Sequence, residues 1–427
     1  MLGFLLYLDT LYFAPYVLAF LITFWAIVAR RGQVKEMALR NLDFIKVFLL
    51  FLALCTFNTL AHGFKGIPNM YMQVFMLITA FALNRRDAKV FILLSCFECL
   101  VGVAEYVAGV SSFVQEDPSY FGEEAMLYFK RVNGLSGNSS SLSEKVLISL
   151  ILLYNEKQEF VGKKKKRVRL VVRKSGMKNG IEHLIFLVRR RKRWLTITIR
   201  RNGFPSQVKP FLYGILLVGL FISFNRTAII TAAVFAAVIL FQRFKHRSRA
   251  LRMVIVVAVM VCVIPVVIAL WDSVGQLIVM QFSRGDTSSM LTGRPYIWSL
   301  FGQFIRENLL LGNGSVHLLV PYYSGMIHSH NSFMQLLADH GLVLAVIYLV
   351  NIILRFNKNN WLCCLPFIVL SLTQYTLFWG YSIGDVFFFA FLCNPVFEKS
   401  SRDVLPRKHN VSRLKEPAYA LEQGTGN

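Results

Sequence analysis

The chain has 427 residues, of which 55% are hydrophobic, 37 are Phe and only 16% are charged. Soluble domains carry about a quarter charged residues, so an ordinary soluble fold is excluded. The formal net charge of +24 comes largely from one segment without any nucleic-acid-binding signature, so no nucleic-acid partner is expected.

Apolar runs of spanning length recur along the chain, none with the alternation of a barrel strand. The expected fold is an all-α polytopic integral membrane protein with about 11–12 transmembrane helices, a single membrane domain over 1–427. Met1–Ala29 is apolar without a basic start, and its charges, Arg30 and Arg31, come after it. That order marks a retained first helix, Leu11–Ala29, rather than a cleaved signal. Phe44–Ala61, Met70–Leu83 and Val90–Val110 follow. Basic turns carry Arg30, Arg31, Lys35 and Arg40, then Arg85, Arg86 and Lys89, while Glu116, Asp117, Glu123 and Glu124 come after the fourth run. By the positive-inside rule the basic turns face the cytoplasm and the acidic stretch lies outside.

The next run, Leu142–Tyr154, has only a short apolar core, Val146–Tyr154. It leads into a basic cytoplasmic segment, 158–209, in which Gly162–Lys209 holds 17 Lys or Arg against the single Glu182. One reading lays this segment on anionic headgroups of membrane lipids through Ile181–Val188 and Trp194–Ile199. Another takes it as a change of reading frame after four successive lysines. Further spans are expected at Phe211–Phe224, Thr227–Phe241, Leu251–Trp271, Leu336–Leu354, Trp361–Leu377 and Val386–Phe397, before a basic cytoplasmic tail, 398–427. All seven cysteines fall in or beside these runs, where buried apolar cysteine is common. A redox or zinc role for Cys96-x-x-Cys99 is the minor reading.

Arg284–Gly341 interrupts the apolar pattern with polar, aromatic and glycine residues. Irregular backbone cannot face lipid, because its N–H and C=O groups would go unpaired, so 272–335 reads as an extracytoplasmic catalytic loop. Arg131, Asn225-Arg226, Arg294 and His330 fall on this outer side. Arginine binds phosphate oxygens in pairs but cannot serve as a base. Converging arginines with one histidine therefore point to an anionic, phosphate-bearing substrate. His330 precedes the cap residues Asn331 and Ser332 of the following helix, whose dipole disfavours a charged imidazole. His328 and His330 form H-x-H, but no suitably spaced acid or cysteine completes a metal set, and none is expected. Glu98 and Glu105 share one helix face and are functional candidates as intramembrane acids.

Four elements in order, Ser223-Phe-Asn-Arg226-Thr-Ala, Thr292-Gly-Arg294-Pro-Tyr-Ile-Trp298, Leu311-Gly-Asn-Gly314 and His330-Asn331 followed by Gly341-Leu-Val, resemble the O-antigen ligase and polymerase family. The resemblance implies a GT-C-like, metal-independent inverting glycosyltransferase without a cofactor, multi-pass in the bacterial inner membrane. It implies an undecaprenyl-diphosphate-linked glycan as donor and a lipid-linked glycan or lipid A core as acceptor. Arg226 and Arg294 would bind the diphosphate and His330 would act as base, with Arg131, Arg284, Trp298 and Asn331 binding substrate. The modest outer loop favours polymerisation of a surface polysaccharide over ligation to lipid A core. A polysaccharide transporter or flippase is the reading from another class, although no inverted repeat with broken helices is visible.

Overall fold

The computed structural model describes residues 15–110, 112–113, 132–156, 170–174, 184–190, 193–199, 204–205, 207–245, 294–322 and 325–397. Arg131, Arg284, the acidic stretch 116–124, the expected span Leu251–Trp271 and the tail 398–427 lie outside the described residues.

Eleven helices make up the described bundle: α1 (Pro15–Arg40), α2 (Leu42–Ala61), α3 (Met72–Ala82), α4 (Arg85–Ala108), α5 (Ser139–Asn155), α6 (Val208–Ile222), α7 (Arg226–Lys245), α8 (Arg294–Glu307), α9 (Ser332–Ile353), α10 (Trp361–Ser371) and α11 (Ile383–Cys393). Local chemistry sets their ends. Asn84 and Asp87 open α4 with a capping box, and Gly109 closes it in the left-handed region. Three helices, α2, α4 and α9, are long and apolar enough to cross a membrane. Large apolar side chains such as Phe24, Phe57, Phe211, Phe221 and Phe241 stay exposed on the outer helices, a surface that only lipid would favour.

The core gathers around α11, in which every residue is buried, and α5, buried along most of its length. The short expected span Leu142–Tyr154 is therefore an interior helix running from Ser139 to Asn155. Its polar first half lowers its hydropathy because those groups find partners inside the protein. Lys145, wholly buried, pairs with the buried Glu98 at 2.9 Å. Cys99 of α4 packs against Gly219 of α6, where a Cβ would overlap it. The described cysteines are all buried.

The connections sort into two ends. Basic turns meet at one: Arg30 pairs with Asp87, Asn41 Nδ2 donates to the Cys393 carbonyl at 3.0 Å, and Asn394 Nδ2 to that of Leu83 at 3.0 Å. At this same end the chain leaves α5 at Glu156 and returns at Phe204, whose N–H donates to the Glu156 carboxylate at 2.7 Å. Lys209 adds an ion pair to Glu156 at 3.2 Å. The basic segment is thus an excursion from a clasped neck. Its described parts are three antiparallel strands, β1 (Leu170–Lys174), β2 (Leu184–Arg190) and β3 (Arg193–Ile199), in the order β1-β2-β3. A second sheet, β4 (Val320–Tyr322) with β5 (Gly325–Ile327), sits in the loop at the other end. The helical expectation holds for the described spans, and the described strands lie in the connections.

Three further boundaries differ from expectation. The run expected to end at Ala29 before a basic turn continues as helix to Arg40, with a kink at Arg30. The span expected at Trp361–Leu377 ends at Ser371. Asp385, buried near the start of α11, draws the following backbone into a turn by accepting from Phe378 N at 2.8 Å and Trp379 N at 3.2 Å. The span expected at Leu336–Leu354 begins at Ser332 and is broken at Gly341, with φ +76°.

Candidate functional site

The break in α9 builds the site. At Gly341 the helical ladder is interrupted, and the freed backbone groups are taken by the turn after α8. Asn313 N donates to the Ala338 carbonyl at 2.8 Å, Ser315 N to that of Asp339 at 2.8 Å, and Leu342 N to that of Leu309 at 2.8 Å. The approach is close enough to require glycine on both sides. A Cβ on Gly312 would come within 2.6 Å of the Ala338 carbonyl, and one on Gly341 would overlap that of Leu310. Helix α2 pins the turn from beneath: Asn58 Nδ2 donates to the Leu311 carbonyl at 2.8 Å and Thr59 Oγ1 to that of Gly314 at 2.8 Å. The Leu311–Gly314 element and Gly341 are one structural unit.

His330 stands directly before α9. Asn331 caps that helix, its Oδ1 accepting from Phe333 N and Met334 N at 3.0 Å each. Its amide nitrogen donates to the Leu372 carbonyl at 2.9 Å, so the side chain is engaged at both ends. His330 itself has φ +53°, and its N–H donates to His328 Nδ1 at 3.2 Å. Phe224, Ser315 and Phe378 also have positive φ, and each adjoins a site element. Such conformations cost about 1–3 kcal/mol each and persist where the surroundings over-determine them.

Arg294 begins α8, and Trp298 one turn later donates its indole N–H to the Ser329 carbonyl at 2.8 Å. That bond ties the arginine's helix to the residue beside His330. Burial, and then the Arg294 guanidinium, hold His330 down at about 4. Burial, His330 and His317 hold His328 down at about 3. Both imidazoles are neutral near pH 7.

Arg226 begins α7, and Asn225 links it to the same region. Asn225 Oδ1 caps α7 through Ala228 N at 3.2 Å and accepts from Gln374 Nε2 at 3.2 Å. The Gln374 carbonyl in turn accepts from Ser332 Oγ at 3.2 Å. The α10–α11 connection, Leu372–Ser382, thus bridges the starts of α7 and α9.

That bridge carries groups that sequence reading missed. Tyr375 stacks on His317 with centroids 5.4 Å apart and 10° between planes, and Trp379 lies 5.5 Å from His317 and 5.6 Å from His328. His317 Nδ1 lies 3.0 Å from Asp339 Oδ2. The partners are 22 residues apart and meet only because the turn docks into the break of α9. Gln335 Nε2 and Leu318 N hold the other Asp339 oxygen at 2.8 and 2.7 Å.

Glu98 and Glu105 lie away from this group. Glu105 accepts from Gly134 N at 2.8 Å and Phe113 N at 2.9 Å. Glu98 accepts from Ser136 Oγ at 2.6 Å as well as from Lys145. Both clamp the loop that follows Arg131. Among the described residues no cluster of three or more His, Cys, Asp or Glu is placed to hold a metal.

A lipid-exposed helical bundle with arginine and histidine gathered at one end defines a membrane protein with a polar site at its boundary. Residues 211–349, from α6 to the middle of α9, match the family model described as O-antigen ligase. The match takes in Arg226, Arg284, Arg294, Trp298, His330 and Asn331 but not Arg131. No curated protein and no solved structure matches the chain.

Proposed function

We propose that the protein polymerises undecaprenyl-diphosphate-linked oligosaccharide repeat units of a surface polysaccharide on the outer face of the inner membrane. The observation that carries this reading is the neutral His330 held beside Arg294 by the Trp298–Ser329 bond. In the reaction, the acceptor hydroxyl oxygen attacks the anomeric carbon and its proton passes to His330. The bond from that carbon to the diphosphate breaks, and the lipid diphosphate leaves with the electron pair. The anomeric centre is inverted. Arg294 and Arg226 supply fixed positive charge where negative charge develops on the leaving group. Arg131 and Arg284 are assigned to substrate on the same side.

A base held at about 4 is weak for deprotonating a sugar hydroxyl, since an efficient base titrates near the working pH. Arg294 is part of the cause, and a diphosphate neutralises it. Donor binding therefore raises the basicity of His330 at the moment it is needed.

Transfer in detergent, with a lipid-diphosphate oligosaccharide donor alone and then with lipid A core added, tests the reading. A ladder on the lipid carrier without core, absent in His330→Ala, is the expected result. Product only with core makes the protein a ligase. Movement of glycan across liposomes without bond formation makes it a transporter.

A further inference from the structure

One buried nitrogen at the site has no use in the reaction just described. His317 has a side chain only 15% exposed, and its Nε2 is screened from solvent with no hydrogen-bond partner among the described residues. Its chemistry follows from its neighbours. The carboxylate of Asp339, 3.0 Å from Nδ1, requires a donor there. Gln335 Nε2, although 3.3 Å from the same nitrogen, has its two hydrogens engaged by the Leu318 carbonyl and Asp339 Oδ1 at 2.8 Å each. In the neutral ring Nδ1 is then the protonated nitrogen, and Nε2 presents a lone pair. Buried polar groups are normally bonded, and an orphan calls for a partner.

A partner for this lone pair must bring an O–H or N–H. A diphosphate cannot, because its oxygens are acceptors and the Asp339 carboxylate behind the ring repels it. A saccharide can: it is dense in hydroxyls, and the C–H faces of its ring pack on aromatic surfaces. Tyr375 and Trp379 supply such surfaces around His317, and Trp379 also touches His328, whose ring centroid is 4.4 Å from that of His330. An acceptor nitrogen beside aromatic rings thus stands in the same group of residues as His330.

We propose that His317, oriented by Asp339 and flanked by Tyr375 and Trp379, forms a saccharide subsite in which Nε2 accepts a hydrogen bond from a sugar hydroxyl. Tyr375 lies against the face of the His317 ring and Trp379 beside it, so a sugar bound at Nε2 meets aromatic surface. The assignment of the sugar to the transferred or accepting glycan rests on the glycosyl-transfer reading, but the binding itself does not. Asp339 is a positioning residue in this scheme.

Two substitutions of His317 separate binding from structure. In His317→Asn the amide nitrogen occupies the place of Nδ1 and keeps the donor to Asp339 but removes Nε2. His317→Gln does the reverse, reaching the place of Nε2 and giving up the Asp339 partner. The probe is the repeat-unit oligosaccharide released from its native lipid carrier by mild acid, titrated into the full-length protein in detergent and followed by tryptophan fluorescence.

Saturable binding that weakens at least tenfold in His317→Asn, and less in His317→Gln, is the expected result. The opposite order, with His317→Asn like the parent, leaves His317 a purely structural partner of Asp339 and overturns the subsite. So does parent protein that binds no oligosaccharide. If neither variant folds, Tyr375→Leu decides in the same titration, and unchanged affinity overturns the proposal. Turnover measured alongside distinguishes the two readings. Binding without transfer removes the glycosyltransferase and keeps the subsite, whereas transfer with unaltered KM in His317→Asn does the opposite.

Discussion

Glu98 and Lys145 are both sealed from solvent and bound to each other through two carboxylate oxygens, with Ser136 completing the shell. The histidines at the other end are also largely buried, yet His317 Nε2 has no partner among the described residues, His330 has a left-handed backbone, and His328 and His330 are held far below their ordinary value. The acid and base in the bundle are ion-paired to fasten a loop. Those at its end are left short of partners and under strain. Burial by itself does not mark function; what distinguishes the two centres is whether the buried groups are satisfied by the protein itself.

The sharpest break of that comparison is at the histidine end. His330→Ala removes a base, a loss of about 10²–10⁴-fold in turnover, and Arg294→Ala about 10²–10³-fold, each with membrane insertion and thermal midpoint close to the parent. A variant with full turnover would take its residue out of the reaction. The bundle centre should respond in the opposite way. Lys145→Ala leaves Glu98 buried without its counter-charge, a cost of about 3–5 kcal/mol, read as a large fall in thermal midpoint in detergent. The double variant Glu98→Gln, Lys145→Met should recover much of it. If the single variant is as stable as the parent, the pair is not a structural fastening.

Acid should separate the centres next. His328 and His330 fold neutral, with values near 3 and 4 against an ordinary 6.5. Protons therefore bind the unfolded chain first as pH falls. Stability from these rings is fully present above pH 6.5 and is lost as pH drops from there toward 4. Thermal midpoints at pH 7 and 5 should fall further apart in the parent than in His328→Gln. In turnover, the acid limb of kcat/KM should lie near pH 4, and that of kcat higher, because bound diphosphate offsets Arg294. Coincident limbs would contradict the coupling. The mildest change is Trp298→Phe, which forfeits one hydrogen bond, about 1 kcal/mol. A few-fold loss of turnover with little change in midpoint is expected.

How legible these centres were in the chain follows the range of their interactions. Apolar runs long enough to span showed α2, α4 and α9, and Asn331 could be read as a cap because capping is local. The interior helix α5 looked like half a span, since Ser143 and Lys145 are stabilised by partners far along the chain. Gln374 and Tyr375 were hidden inside an apparently continuous apolar run, Trp361–Leu377, with Trp379 just beyond it, where nothing local announced that Asp385 would turn the backbone. His317 and Asp339 could not be paired from sequence because their meeting depends on a helix break that Gly341 permits but does not announce. The residues of the family resemblance were visible. The partners that orient them were not.

The interlock of Gly312 with Gly341 has an evolutionary consequence. A side chain at either position strikes the backbone of the other's strand of chain, so neither glycine can be exchanged alone, and drift at one cannot be rescued by a smaller neighbour because none exists. The pair should persist among relatives even where the residues around His317, between the two glycines, are rewritten. A lineage is then free to alter the surroundings of His317 while inheriting the interlock on which they hang.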